Sequence, residues 1–206
     1  MIEEYIAAMR SVQPSGPYTL LGWSAGGTVA HAMAVRLEDE GDKVSAVILM
    51  DTRITVEADA SADNTQSHED AVQEQLIELA DICDIDEANI SIHNEAFLRR
   101  LMQELSLPFY AGIEDFIRAF VFIDVHNERI MVNSDYGVCN APILYARAAK
   151  VSHSLGGYTG SAWDSFTRAG VTSFDVDTDH RSMDSEDASK ELADYIGPYL
   201  EKTICE

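Results

Sequence analysis

Basic residues are scarce in this sequence. Lysine and arginine number 14 against 36 aspartates and glutamates, which gives a formal net charge of −22 over 206 residues. Phosphate backbones and anionic membrane surfaces are bound by clustered cationic side chains. The charge balance therefore argues against nucleic acid and membranes as partners, and we interpret the excess acid as a solvated surface.

Cysteines and long hydrophobic runs are also few. The cysteines, Cys83, Cys139 and Cys205, are far apart and show neither CxxC nor Cys/His spacing. We therefore expect no disulfide framework and no metal site. No apolar run approaches the length of a membrane span, and the opening residues are acidic, unlike the basic start of a signal peptide. These absences predict a cytoplasmic protein.

Short apolar runs alternate with helical spacings, which is typical of an α/β fold with a mostly parallel sheet. Helices are expected at the start of the chain, after the first strand with Gly41 as its C-cap, and near 186–200, where Pro198 should bend or fray the end. Strands are predicted at residues 18–22, 44–50, 141–146 and 171–176.

Residues 54–140 differ from the rest of the chain in their sequence pattern. The polar segment 57–70 predicts a loop, and three helical patterns follow at 72–79, 97–105 and 113–121. Because this block lies between two predicted strands, we expect a helical lid over the carboxyl ends of the sheet. The chain is thus predicted to be one domain over 1–206, with a core at 1–53 and 141–206 and a lid at about 54–140.

A serine stands between glycines in Gly22-Trp23-Ser24-Ala25-Gly26, which matches the GxSxG pattern. An apolar run precedes the motif and a helical pattern follows, so it lies where a strand turns sharply into a helix. Glycines permit such a turn, which would present Ser24 as a nucleophile while the Ala25 amide donates to an oxyanion. The plainer alternative is a serine N-cap or an ordinary glycine-rich turn.

A serine nucleophile needs a base, usually histidine, and a carboxylate that orients it. Of the six histidines, only His180 follows the last predicted strand and precedes the final helix; the alternative is a surface histidine among acids. Asp51 directly follows the strand predicted to lie beside that of Ser24, so it is the best placed carboxylate. The rival acids are Asp164, Asp175 and Asp177.

The stretch GPYTLLGWSAGGTVAHAMAVRLEDEGDKVSAVILMDT, residues 16–52, resembles the core of the thioesterase domains that end nonribosomal peptide synthetases and related polyketide synthases. In those domains a GPYxLLG[YW]SxGG run is followed by LLD or MVD at the next strand end. The similarity weakens after residue 52 and resumes at APILYARA and DVDTDHRSMD, which is similar to the family's terminal GxH segment. Thr178-Asp179 replaces the family's glycine before the histidine.

The resemblance implies an α/β-hydrolase fold and a triad of Ser24, Asp51 and His180, in the Ser, Asp, His chain order of that superfamily. It implies that a carrier protein delivers the acyl or peptidyl chain on its phosphopantetheine arm, and that the domain needs no cofactor of its own. The acyl-enzyme would be released by water, or by the substrate's own amine or hydroxyl with ring closure.

One departure from the family concerns the start of the chain. Relatives carry further strands before the segment that corresponds to residue 2, including a loop that supplies the second oxyanion amide. We therefore expect a fragment without the N-terminal strands, and loss of one oxyanion donor lowers rates on the order of 10²–10³. The first strand would then expose a hydrophobic edge, which favours dimerisation or aggregation.

Three other functions remain open. A discrete editing thioesterase would keep the triad, although Trp23 is more typical of the terminal domains. A carboxylesterase would cleave small oxygen esters without preference for a carrier. A catalytically silent module would only dock a carrier protein.

Overall fold

The structure is a computed structural model that describes residues 1–54, 68–86, 88–105, 112–113, 115–119, 123, 136–150 and 159–204. The chain forms two compact units. The first comprises Met1–Ile54, Ser134–Val151 and Gly157–Glu206, and the second comprises Thr55–Asn133 and Ser152–Gly156. The second unit thus interrupts the first within the sequence. The predicted loop at 57–70 lies outside the described residues up to 67. Its last three residues are helical, since they begin the helix His68–Ile82, so the predicted loop ended too late.

Four parallel strands form the sheet of the first unit, in the spatial order β1-β2-β3-β4. The predicted α/β fold with a parallel sheet is confirmed. The strands are β1 (Tyr18–Trp23), β2 (Val44–Met50), β3 (Ile143–Ala148) and β4 (Val171–Val176).

The third strand begins and ends two residues later than predicted. Pro142 lacks the N–H that a strand residue donates, and its carbonyl accepts from the Val47 amide at 3.0 Å, so the ladder proper begins at Ile143. As a result Arg147 lies inside β3 opposite Asp175 of β4, where the two side chains form a bidentate ion pair at 2.7 and 2.6 Å.

Five helices have defined bounds in the described part of the chain: α1 (Ile2–Val12), α2 (Ala25–Asp39), α3 (His68–Ile82), α4 (Glu95–Glu104) and α5 (Glu186–Ile204). Gly41, at φ 91°, ends α2 as expected, because its amide donates to Glu38 and that of Asp42 donates to Leu37. The predicted fraying at Pro198 was wrong, since α5 continues past it to Ile204. Both Pro198 and Asp194, whose carbonyl loses its helical partner, are exposed to water.

The two faces of the sheet pack against different helices, because alternate strand residues point to opposite sides. One face packs against α1 and α2 and the other against α5. The first core includes Ile6, Met33, Leu37, Leu20, Val47, Leu49 and Ile143. The second includes Ile48, Met50, Leu144, Val176, Leu192 and Ile196.

The strand β1 has one buried and one open face. Tyr18, Leu20 and Gly22 are buried, whereas Leu21 and Trp23 are 56 % and 36 % exposed. In register, Leu21 lies beside Ile48 and Trp23 beside Met50. The open face of β1 is therefore the one that α5 covers farther along the sheet.

The second unit has its own hydrophobic core. The helical patterns predicted at 72–79 and 97–105 supply apolar side chains to it. Side chains of α3 and α4 meet there, and Asn94 caps α4 by accepting from the Phe97 amide at 3.2 Å. The third predicted pattern, 113–121, is helical at 113 and 115–119, and its other residues lie outside the described ones. The core contains Val72, Leu76, Leu79, Phe97, Leu98, Leu101, Ile113 and Ile117.

Candidate active site

Ser24 occupies a sharp turn between β1 and α2. Its backbone lies at φ 52° and ψ −128°, outside the regions that L-residues ordinarily adopt. The turn is held on both sides, since the Ser24 amide donates to the Met50 carbonyl at 3.0 Å and the Ser24 carbonyl accepts from the Gly27 amide at 2.9 Å. Ala25 is the first residue of α2, so its amide has no acceptor within the helix.

The glycines around Ser24 differ in how strictly they are needed. A Cβ on Gly22 would overlap the backbone of Gly26, and one on Gly27 would overlap the Thr52 side chain. A Cβ on Gly26 would meet nothing within 4 Å. The expectation that the second motif glycine relieves a steric conflict is thus wrong for Gly26, and the tight position is the next one along the chain.

Asp51 follows β2 directly, with a backbone φ of 45°. Its amide donates to the Ala146 carbonyl at 2.7 Å, and its Oδ1 accepts from the Ala148 amide at 3.1 Å. The side chain is only 6 % exposed. These bonds to β3 leave Oδ2 to face His180.

The rival carboxylates lie elsewhere. Asp175 pairs with Arg147, Asp177 lies 3.3 Å from the Lys150 ammonium, and Asp164 is exposed. Of the acids weighed from the sequence, the structure places Asp51 against His180.

His180 begins a 3₁₀ turn, His180–Ser182, that follows β4. The carboxylate of Asp179 caps this turn by accepting from the amides of Arg181 and Ser182. The His180 ring is thereby held so that Nδ1 lies 2.8 Å from Asp51 Oδ2 and Nε2 lies 3.1 Å from Ser24 Oγ. The structure brings together the three residues that the sequence singled out.

The chemistry of this arrangement follows from the hydrogen bonds. A carboxylate accepts only, so Asp51 favours the tautomer of His180 that carries its proton on Nδ1. The lone pair on Nε2 then faces the Ser24 hydroxyl. Such an arrangement can remove the hydroxyl proton as the serine oxygen attacks an electrophile.

Within the first unit, the other described histidine does not join this group. His31 is buried in α2. His31 Nε2 donates to the Phe166 carbonyl at 2.9 Å, and burial lowers the pKa of its imidazole. His126 and His153 lie outside the described residues.

An aromatic cluster behind the site was not predicted from the sequence. The His31 ring lies 5.1 Å from that of Trp163, and the rings of Tyr136 and Phe166 complete the cluster. Trp163 Nε1 donates to the Thr52 carbonyl at 3.1 Å and so holds the residue after Asp51. Trp163 and Thr52 are 111 residues apart, and no local pattern signals their contact.

The described residues contain no group of three or more His, Cys, Asp or Glu side chains placed to hold a metal ion. None of their helices combines the length and apolar character that a bilayer crossing requires.

Known proteins resemble this chain in sequence and in fold. Over its whole length the chain is 25 % identical to malpinin synthetase of Mortierella alpina, but it spans only 2 % of that protein. It is similar in fold to a four-domain nonribosomal peptide synthetase bound to AMP and glycine, with TM-score 0.67, 22 % identity and coverage of 95 % of this chain and 15 % of the other.

The thioesterase domain that cyclises the lipopeptide surfactin is also similar, with TM-score 0.57, 20 % identity and coverage of 97 % of this chain and 74 % of that one. A family model described as "Thioesterase domain" matches residues 1–197. The chain therefore belongs to the thioesterase domain family.

Proposed function

We propose that this chain is a serine thioesterase that releases an acyl or peptidyl chain from the phosphopantetheine thioester of a carrier domain. The observation that carries the proposal is the continuous hydrogen-bonded series from Ser24 through His180 to Asp51. Membership of the thioesterase family supports the thioester as substrate. The similarity to the surfactin cyclising domain supports release by macrocyclisation beside release by hydrolysis.

The first half of the reaction forms an acyl-enzyme. Ser24 Oγ attacks the thioester carbonyl carbon while its proton passes to His180 Nε2, and Asp51 stabilises the resulting imidazolium. The Ala25 amide, at the N-terminal end of α2, donates to the oxyanion. When the C–S bond breaks, the proton on Nε2 passes to the departing pantetheine thiolate, which leaves an ester on Ser24.

The second half reverses these roles. Water, or a hydroxyl or amine of the bound chain, attacks the ester carbonyl and gives its proton to His180 Nε2. The C–O bond to Ser24 then breaks, and the serine oxygen takes that proton back. Water yields a free acid, and an internal nucleophile yields a ring.

The proposed partner is a carrier domain, and the phosphopantetheine arm comes with it, so the chain needs no cofactor of its own. The match to a four-domain synthetase, of which this chain covers 15 %, supports a setting beside other domains of an assembly enzyme.

The primary test is covalent labelling of Ser24 by a fluorophosphonate, followed by intact mass. We expect one adduct on the folded chain, its loss in Ser24→Ala, and its retention in Ser11→Ala, a matched control because Ser11 is an exposed serine of α1. Folding of each variant is checked by circular dichroism. A folded chain that stays unlabelled, or an adduct that persists in Ser24→Ala, overturns the proposal.

A second assay compares an acyl-pantetheine thioester with the matching oxygen ester, and the same acyl group loaded on a carrier domain. The proposal predicts a higher kcat/KM for the thioester and a further gain on the carrier. Equal turnover of the oxygen ester without carrier preference would instead identify a carboxylesterase.

A further inference from the structure

Trp23 lies against the base of the triad. It is the last residue of β1, and its ring centroid is 5.7 Å from that of His180 with 45° between the ring planes. Its side chain remains 36 % exposed. Ser24 follows it in the chain, so one turn sets both the nucleophile and this aromatic neighbour of the base.

The contact restrains His180 in a way that its hydrogen bonds do not. Asp51 Oδ2 and Ser24 Oγ bond the two ring nitrogens, so they act along directions that lie in or near the imidazole plane. Trp23 instead packs its ring against that of His180, and thereby limits tilting about the axis that joins the two hydrogen bonds. Three independent contacts then fix the ring.

The indole also favours the charged state of the imidazole. The π face of tryptophan attracts a cation within about 6 Å of the ring centroid, and the effect is strongest where water is partly excluded. His180 carries a positive charge from the moment it accepts the Ser24 proton until that proton reaches the leaving group. The ring distance of 5.7 Å places the transient charge within range of Trp23.

We propose that Trp23 is a positioning residue that orients His180 and stabilises its imidazolium during acyl transfer. This inference rests on the proposed function, because the charge arises only if His180 acts as the base. The residue before the serine in the GxSxG motif, here Trp23, then has an electrostatic role as well as a structural one.

Charged groups next to His180 in the chain or at the ends of β3 and β4 must stay constant in any test. Asp51 bonds Nδ1, and Asp179 and Arg181 flank His180 on its own turn. From the neighbouring strands come two further groups, the Arg147–Asp175 pair and the Lys150–Asp177 pair. Substitution of Trp23 leaves all of them in place.

The experiment compares Trp23→Leu, which removes the π system, with Trp23→Phe, which keeps a smaller one. Leu21→Thr is the matched control, because Leu21 is exposed on the same face of β1. The readouts are the rate constant for fluorophosphonate labelling and the kcat and KM for an acyl-pantetheine thioester, each measured across pH.

For Trp23→Leu we expect labelling and kcat to fall by about 5- to 30-fold, the loss of a partly desolvated cation–π contact. The acid limb of the pH profile should move to lower pH, because the protonated imidazole loses a stabilising contact. KM should change little. Trp23→Phe should recover most of the rate and the wild-type acid limb, and Leu21→Thr should match the wild type.

An acid limb unmoved in Trp23→Leu, or equal behaviour of the Leu and Phe variants, overturns the inference. A change confined to KM also overturns it, since that result identifies Trp23 as a substrate contact. Failure of the proposed function appears differently, as a wild-type chain that does not label at all.

A readout without catalysis separates the two failures further. The fluorescence of Trp23 is obtained as the difference between the wild type and Trp23→Phe. It should drop on acidification, because a protonated imidazole quenches the fluorescence of a neighbouring indole. The drop should vanish in His180→Gln and persist in Ser24→Ala. A pH-independent difference emission contradicts the coupling of these two rings.

Discussion

The two consecutive glycines at the start of α2 should respond oppositely to alanine. A Cβ at Gly26 meets nothing within 4 Å, whereas a Cβ at Gly27 would lie 2.8 Å from both Cβ and Cγ2 of Thr52 and overlap its Oγ1. Thr52 is 1 % exposed and Trp163 holds its carbonyl, so the residue has little room to move. Gly27→Ala therefore forces a buried clash that Gly26→Ala does not.

The magnitude follows from comparing the two variants. Alanine in place of a helical glycine stabilises by about 0.5–1 kcal/mol at either position. That gain cancels in the difference, which leaves the overpacking penalty of about 1–3 kcal/mol in the free energy of unfolding. Gly26→Ala should thus be as stable as the wild type or more so, and Gly27→Ala should be about 1–3 kcal/mol less stable than Gly26→Ala.

Urea unfolding followed by circular dichroism measures both values, with equal m-values as the check that the unfolded states are comparable. Thr52→Ala removes Oγ1 and Cγ2, so the double variant with Gly27→Ala should recover part of the loss. A coupling energy of about 1 kcal/mol is expected from the cycle. Equal midpoints for the two alanine variants, or strict additivity with Thr52→Ala, would refute the reasoning.

Three further outcomes are expected. Asp51→Asn should lower kcat/KM by roughly 10⁴ at unchanged melting temperature, because an amide facing His180 favours the wrong tautomer of the imidazole. Thioester kinetics and thermal unfolding measure these two quantities. A loss in kcat/KM of less than tenfold would contradict the tautomer argument. Burial lowers the pKa of His31 from its usual 6.5, so the folded state prefers the neutral ring. Stability from this source is intact above pH 6.5 and is lost as the pH falls below it. His31→Gln should therefore weaken the pH dependence of the urea unfolding midpoint between about pH 7.5 and 5.5. A pH dependence as steep in the variant as in the wild type would exclude His31 as its source. Trp163→Phe leaves the buried Thr52 carbonyl without its donor and should cost about 1–3 kcal/mol in urea unfolding, whereas a neutral effect would mean that this hydrogen bond contributes nothing net.

The sheet could be predicted closely where strands are buried on both faces. The run VSAVILM of β2 is apolar at every position except Ser45, because α2 lies over one side and α5 over the other. The start of β3 was misplaced because Pro142 joins the ladder only through its carbonyl. The end of α5 was misplaced because a proline on an exposed helix face is tolerated when water replaces the lost bond.

The site was predictable to the extent that it depends on strand ends. Ser24 and Asp51 follow neighbouring parallel strands, and His180 follows the last strand, so all three side chains reach one edge of the sheet. What holds them was not predictable. The Ala148 amide that fixes Asp51, the packing of Gly27 on Thr52 and the contact of Trp163 with Thr52 join residues far apart in sequence, and only the tertiary fold brings them together.

The backbone angles at Ser24 and Asp51 carry an evolutionary consequence. Both are non-glycine residues at positive φ, 52° and 45°, and such conformations cost about 1–3 kcal/mol each. At Asp51 this cost is offset, because the buried carboxylate accepts from the Ala148 amide. A lineage relieved of selection for acyl transfer therefore gains stability by accepting glycine at Ser24, without altering the core. Inactive descendants of this domain should lose the Ser24 side chain early while keeping the sheet, and laboratory selection for heat resistance alone should erode the same position.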